Sequence, residues 1–214
     1  MTRTSPLVLS GDVLPRRDVL VLPGEESGEA PLSQADYERM KGAAAKGPWR
    51  DALLLMFLRN TGLRPHEIVR VNARDLEAQG GVFWVNLIRA KKRGLGIREA
   101  LFLNPVLGQP LMAYVAGQHI APQERVFGIM ERQLRRVVYR ISLEALGRRV
   151  EPKMFRRFYA RTVAEIAPEI MGFNQQHVAV AAKMLGHNSP RTTNEFYMQL
   201  SPRDHLAIQE RIPV

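Results

Sequence analysis

Tyr197 stands ten positions after the histidine of Leu185-Gly186-His187, and two arginines lie far upstream, in Thr61-Gly62-Leu63-Arg64-Pro65-His66-Glu67 and in Lys153-Met154-Phe155-Arg156. In that order the chain supplies a phenol nucleophile, two permanent cations and a hydrogen-bond donor. That is the set needed to break a phosphodiester without a metal ion. A tyrosine attacks poorly at neutral pH, because its phenol has a pKa of about 10 and the phosphoryl group repels nucleophiles. Cations must offset both handicaps. Arg64 and Arg156 carry planar forks that match the two non-bridging oxygens of a phosphate and stay charged in every step. Where a single arginine has been assessed at a phosphoryl transition state, it is worth a factor of about 10³ to 10⁵. The chain has no glycine loop with lysine to cradle a nucleotide, no metalloprotease helix motif and no nuclease-type carboxylate cluster.

These blocks resemble the active-site boxes of the tyrosine recombinases, the phage-integrase family, over roughly residues 32 to 200. The resemblance implies a DNA breaking-rejoining fold and the cutting and rejoining of DNA through a 3′-phosphotyrosine, with neither metal nor ATP. It makes Arg64 the first arginine of the site, Arg156 the second, His187 the histidine of the third box and Tyr197 the nucleophile. His187 would donate to a non-bridging oxygen or help deprotonate the tyrosine. The family also carries a lysine on a β-hairpin between the first two boxes, as general acid for the leaving 5′ oxygen. Ala90-Lys91-Lys92-Arg93-Gly94 occupies that place, with Lys91 aligned best and Lys92 its neighbour. Two departures stand out. Lys153 replaces the histidine that usually opens the second box, an arrangement similar to that of type IB topoisomerases, and the spacing from His187 to Tyr197 is slightly long. Three readings follow: a site-specific recombinase, a topoisomerase-like relaxing enzyme, and a DNA-binding regulator that keeps the fold without cutting.

The elements that must position these groups read as a mainly α domain with a small antiparallel β-sheet. Residues 1–31 hold Pro6, Pro15, Pro23, Gly24, Gly28 and Pro31 without periodicity, and read as an extended arm. So short an arm cannot supply the separate DNA-clamping domain that family members usually carry. The catalytic domain is expected over 32–200 and a tail helix over 201–214. Ser33 is suited to cap a helix running through Lys41, and a second helix from Trp49 buries Leu53, Leu54, Phe57 and Leu58 and stops at Gly62. Pro65 opens a third helix packing through Ile68 and Val71, so Arg64 sits at a helix mouth whose N–H groups face an anion. Glu67, in the first turn, is placed either to hold Arg64 or simply to favour the helix dipole.

Val82–Ile88 and Ile97–Leu103 are the only convincing strands, joined by a basic tip that includes Arg89, Lys91, Lys92, Arg93 and Arg98. Helices follow over Val106–Ala116, Glu131–Leu146, Pro152–Ile166, Asn174–Leu185 and Arg191–Leu200. Arg132, Arg136 and Arg140 recur every four residues as one stripe able to track phosphates, and Arg157 and Arg161 flank Arg156 on the next helix. Tyr159, three positions after Arg156, is the rival nucleophile.

Composition points the same way. Lys and Arg number 31 against 21 Asp and Glu, a formal charge of +10 that calls for a polyanionic partner. Double-stranded DNA fits better than a membrane, since no apolar run approaches the ~20 residues a spanning helix requires. The absence of cysteine excludes disulfides and thiolate metal sites and agrees with the cytoplasm. A monomer in free solution and a tetramer on paired DNA sites are expected. The tail, with Leu206, Ile208 and Ile212 as apolar points, would pack on a neighbouring protomer or dock in cis.

Overall fold

The computed structural model describes residues 30–90, 96–171 and 202–214. It is mostly helical, with one three-stranded antiparallel sheet in the order β1-β2-β3. The expected arm, the hairpin tip with Lys91, Lys92 and Arg93, and the two helices expected over Asn174–Leu185 and Arg191–Leu200 lie outside the described residues, apart from the end of the arm.

Ser33 starts α1 (Gln34–Ala44) with a full capping box: its hydroxyl accepts from the Asp36 N–H at 3.1 Å, and the Asp36 carboxylate accepts from the Ser33 N–H at 3.3 Å. The helix runs past Lys41 because Ala43 and Ala44 continue its buried face. In α2 (Trp49–Thr61) nearly every residue after the first turn is buried, as a helix hydrophobic all round must be. It ends at Gly62, whose φ of 58° is a left-handed value that glycine adopts without the Cβ clash.

The third helix is shorter than the sequence suggests. α3 covers only Pro65–Ile68, and Val71 is buried instead on an extended segment whose carbonyl accepts from the Val126 N–H at 2.9 Å. A 3₁₀ turn (Ala73–Asp75) leads into the sheet. The sheet itself has one strand more than expected: β1 (Leu76–Gln79) pairs with β2 (Val82–Ala90), which pairs with β3 (Gly96–Leu103). Leu76-Glu77-Ala78-Gln79 has no β-branched or aromatic residue, so propensity gives no sign of it. The legible signal is the turn, Gly80-Gly81, both at positive φ, which suits a tight two-residue hairpin.

Three further helices close the body: α4 (Pro105–Gly117), α5 (Glu131–Leu146) and α6 (Pro152–Met171), the last continuing past Ile166. Leu134, Val138 and Ile141 of α5 and Phe155, Phe158 and Val163 of α6 face inward, which leaves the arginines between them on the other faces. The main core gathers Tyr37, Met40, Leu54, Phe57, Leu58, Phe127, Leu134 and Phe155. Each such side chain, fully buried, contributes roughly 1.5–3 kcal/mol. A smaller cluster joins α6 to the C-terminal helix (Pro202–Arg211) through Tyr159, Val163, Ile208 and Ile212.

Candidate active site

Arg64 is the N-cap residue of α3, extended at φ −72° and ψ 147°, because a residue before proline is kept out of the helical region. Its guanidinium is exposed and its partner is Glu67: the Glu67 carboxylate accepts from the Arg64 backbone N–H at 2.7 Å, and Arg64 Nη1 lies 3.4 Å from Glu67 Oε1. The N–H groups expected to face an anion at this helix mouth are largely taken, that of Arg64 by Glu67 and those of Glu67 and Ile68 by the Arg64 carbonyl. The helix behind them is only one turn long. Glu67 acts on Arg64 from both ends, fixing its backbone and steering its fork.

Arg156 reaches the same turn from another element. It sits in the second turn of α6, half-buried, and its Nη1 donates to the carbonyl of Gly62 at 2.8 Å. That carbonyl belongs to the residue that ends α2, two positions before Arg64. The tertiary fold thus brings the two arginines, 92 positions apart in the chain, to one loop. Lys153 is exposed in the first turn of α6, ahead of Arg156, while Arg157 and Arg161 are half-buried on the same helix. Lys91, His187 and Tyr197 lie outside the described residues.

On α5, Arg132, Arg136 and Arg140 are all exposed, as a spacing of four on a helix requires. They are not equivalent. Arg140 Nη2 lies 2.7 Å from Asp51 Oδ2, and the buried Asp51 also accepts from Arg50 at 2.9 Å. Arg135 pairs with Glu131 one turn back. On the hairpin, the backbone register sets Arg89 opposite Ile97 and Arg98 opposite Ile88, at the end of the ladder next to residues 91–95.

A family model for the phage integrase family matches residues 31–203. The chain belongs to the phage integrase family. Solved structures similar to it include XerA recombinase, at 16% identity and a TM-score of 0.60 over 90% of this chain and 62% of that one. An integrase from mycobacterium phage Brujita aligns at 17% identity and a TM-score of 0.62, covering 88% of this chain and 59% of its own. XerH site-specific recombinase bound to its difH substrate aligns at 19% identity and a TM-score of 0.59, covering 78% of this chain and 51% of that one. The chain thus spans between half and two thirds of the length of these recombinases. No curated protein matches it.

Within this integrase fold Tyr159, the rival nucleophile, is fully buried, and its hydroxyl accepts from Gln209 Nε2 of the C-terminal helix at 2.8 Å. A phenol enclosed in that way has no path to a phosphate. Gln209 belongs to a polar lock that sequence reading missed. Asn60 Nδ2 donates to Gln209 Oε1 at 3.0 Å, and Asn60 Oδ1 accepts from the Asn104 N–H at 3.1 Å. Asn104 Nδ2 in turn lies 3.1–3.2 Å from the carbonyls of Gln209, Glu210 and Ile212. Lys41 Nζ donates to the Val214 oxygen. Of the two placements open to the tail, this structure has it docked in cis. A hint was present in the sequence: Arg59-Asn60 continues the buried face of α2 just where it should end apolar. A buried polar residue needs a partner, but nothing in the pattern names one. Among the described residues no helix is long and apolar enough to cross a membrane.

Proposed function

We propose that the chain is the catalytic part of a site-specific tyrosine recombinase that cuts and rejoins double-stranded DNA through a 3′-phosphotyrosine, with neither metal nor ATP. The observation that carries this reading is the seat of Arg156 on the Gly62 carbonyl, which brings a second guanidinium to the turn that bears Arg64. Two forks converging on one loop suit the two non-bridging oxygens of a scissile phosphate. Arg64 would be steered by Glu67 and Arg156 by Gly62, so neither would need to reorganise as negative charge develops. Tyr197 would attack phosphorus in line, expelling the 5′ oxygen, which takes a proton from Lys91. His187 and Lys153 would bind the same phosphate oxygens. Rejoining reverses these steps, with a 5′ hydroxyl attacking and the tyrosine leaving.

DNA would lie along the basic faces, gripped by Arg132 and Arg136 on α5, by Arg157 and Arg161 on α6, and by Arg89, Lys92 and Arg93 at the hairpin. A neighbour of the same fold, XerH, is seen with its difH substrate, which supports duplex DNA as the partner here. The tail docked in cis fits a monomer in free solution, with a tetramer forming on paired sites in the cytoplasm. A topoisomerase-like reading has one observation in its favour, the exposed Lys153 one turn ahead of Arg156. Both readings share the covalent step, and the test is to trap the adduct on nicked suicide duplexes and map the modified residue. A tyrosine-linked adduct at Tyr197 supports the chemistry, and an adduct elsewhere or none at all refutes it. Relaxation of supercoils by the monomer on arbitrary DNA would favour the topoisomerase reading.

A further inference from the structure

Arg59 is the largest fully buried side chain among the described residues. It sits in the last turn of α2, three residues before Gly62, and projects between α1 and α6. Its guanidinium carbon lies 3.8 Å from the centroid of the Phe158 ring and 5.9 Å from that of Tyr37. Nη2 donates to Thr162 Oγ1 at 3.0 Å and, at 3.4 Å, to Gln34 Oε1. Nε and Nη1 have no hydrogen-bond partner, and no carboxylate lies within ion-pair distance among the described residues. Burial holds the guanidinium at a pKa of about 10, well below its ordinary value.

Such a group is an expensive way to fill space. A buried cation without a counter-ion forfeits its hydration, and ring faces return only part of that cost. An apolar side chain of similar volume would satisfy the core better. What the cation does that an apolar residue cannot is make directional contacts to a particular helix. Phe158 and Thr162 both belong to α6, on either side of the turn after Arg156, and Thr162 Oγ1 passes the bond on to the Phe158 carbonyl at 3.1 Å. Arg59 and Gly62 share the end of α2, and Arg156 and Phe158 share the start of α6. The Arg59 clamp and the Arg156–Gly62 bond therefore tie together the same two elements at adjacent points.

We infer that Arg59 is a positioning residue: its clamp on Phe158 and Thr162 sets the spacing of α6 against the end of α2, and through it the approach of Arg156 to the turn that carries Arg64. This rests on the recombinase reading for its catalytic consequence, but its structural content does not.

The test uses Arg59→Met, which keeps an unbranched apolar stem and removes the guanidinium, and Thr162→Val, which removes the hydroxyl that accepts from Arg59 and donates to the Phe158 carbonyl. Three properties are measured: the thermal midpoint, the NMR exchange rate of the Arg156 guanidinium protons, and single-turnover cleavage of a pool of nicked suicide duplexes beside duplex affinity. Arg59→Met is expected to melt at or above the wild-type temperature, since an unpaired charge has been removed. Its Arg156 protons should exchange at least tenfold faster, and cleavage should slow at least tenfold with affinity changed less than threefold. Thr162→Val should speed Arg156 exchange and slow cleavage in the same direction by less, while melting below the wild type because it strands the buried guanidinium, and it decides the matter if Arg59→Met does not fold. Unchanged Arg156 exchange in the variant that folds overturns the proposal, as does a loss of cleavage that only follows a loss of stability or affinity. If the wild type forms no adduct, the recombinase reading fails, and the Arg156 exchange rate alone then decides for or against the clamp.

Discussion

Asn104→Asp should release the C-terminal helix while leaving the helix it caps intact. Asn104 is buried and does two jobs with its two amide atoms. Its Oδ1 accepts from the Val106 N–H at 2.9 Å and so caps α4, while its Nδ2 faces the carbonyls of Gln209, Glu210 and Ile212. Aspartate keeps the cap acceptor and replaces the donor with a carboxylate oxygen against three carbonyls. The two N–H bonds that Nδ2 can make at one time are each worth about 1 kcal/mol net, and stranding the acceptors costs about 1 kcal/mol more. The total is therefore about 3 kcal/mol, felt chiefly by the docked tail. In a chain of this size that corresponds to roughly 6–12 °C in the thermal midpoint if the whole molecule melts together. Asn104→Ala also loses the cap, worth about 1 kcal/mol, but escapes the further cost of a buried carboxylate that Asn104→Asp carries, so it should loosen α4 as well as the tail. Hydrogen exchange over residues 202–211, measured beside α4 as an internal control, is the direct assay. Protection of the C-terminal helix unchanged in Asn104→Asp, or lost equally from α4, would refute the division of labour.

Tyr197→Phe is expected to abolish the covalent DNA adduct with affinity nearly intact, whereas Tyr159→Phe should keep forming adduct and lose about 1 kcal/mol of stability with the Gln209 bond, as adduct mapping and thermal melts would report. Arg64→Ala and Arg156→Ala should each slow single-turnover cleavage by about 10³-fold or more. Lys91→Ala should be rescued by a 5′-thiol leaving group, and rescue of Lys92→Ala instead would move the general acid by one residue. In salt titrations of duplex affinity, Arg132→Ala and Arg136→Ala should each reduce the log-log slope by roughly 0.9. Arg140→Ala should reduce it less, because Asp51 already claims that guanidinium. Since Arg59 has a lowered folded pKa of about 10, the unfolded chain holds its proton more tightly above that pH. Wild-type stability relative to Arg59→Met should therefore rise as pH climbs past 10, and a gap constant with pH in denaturant titrations would contradict the buried charge.

Local chemistry was enough for much of the fold. Ser33 followed by Asp36, the apolar run of α2 ending at Gly62, Pro65 after Arg64 and the alternation of arginines with buried apolar residues on α5 each declare an element through its own neighbours in the chain. The residues assigned to the proposed chemistry were chosen by type alone, since a phosphodiester would demand permanent cations and a nucleophile whatever the scaffold. What the chain could not declare is which distant groups meet. That Arg156 rests on the Gly62 carbonyl, that Asp51 diverts Arg140 from its stripe and that Asn60, Asn104 and Gln209 lock the tail in cis are all bonds between elements far apart in sequence. So is the burial of Tyr159, which the local pattern left as a rival to Tyr197. β1 escaped notice because its pairing with β2, not its composition, makes it a strand. Periodicity reports which face of an element is buried, and only packing decides against what. Arg59 is the plainest case: one letter in an apolar helix, whose cost and whose use depend on two rings and a hydroxyl supplied by other helices.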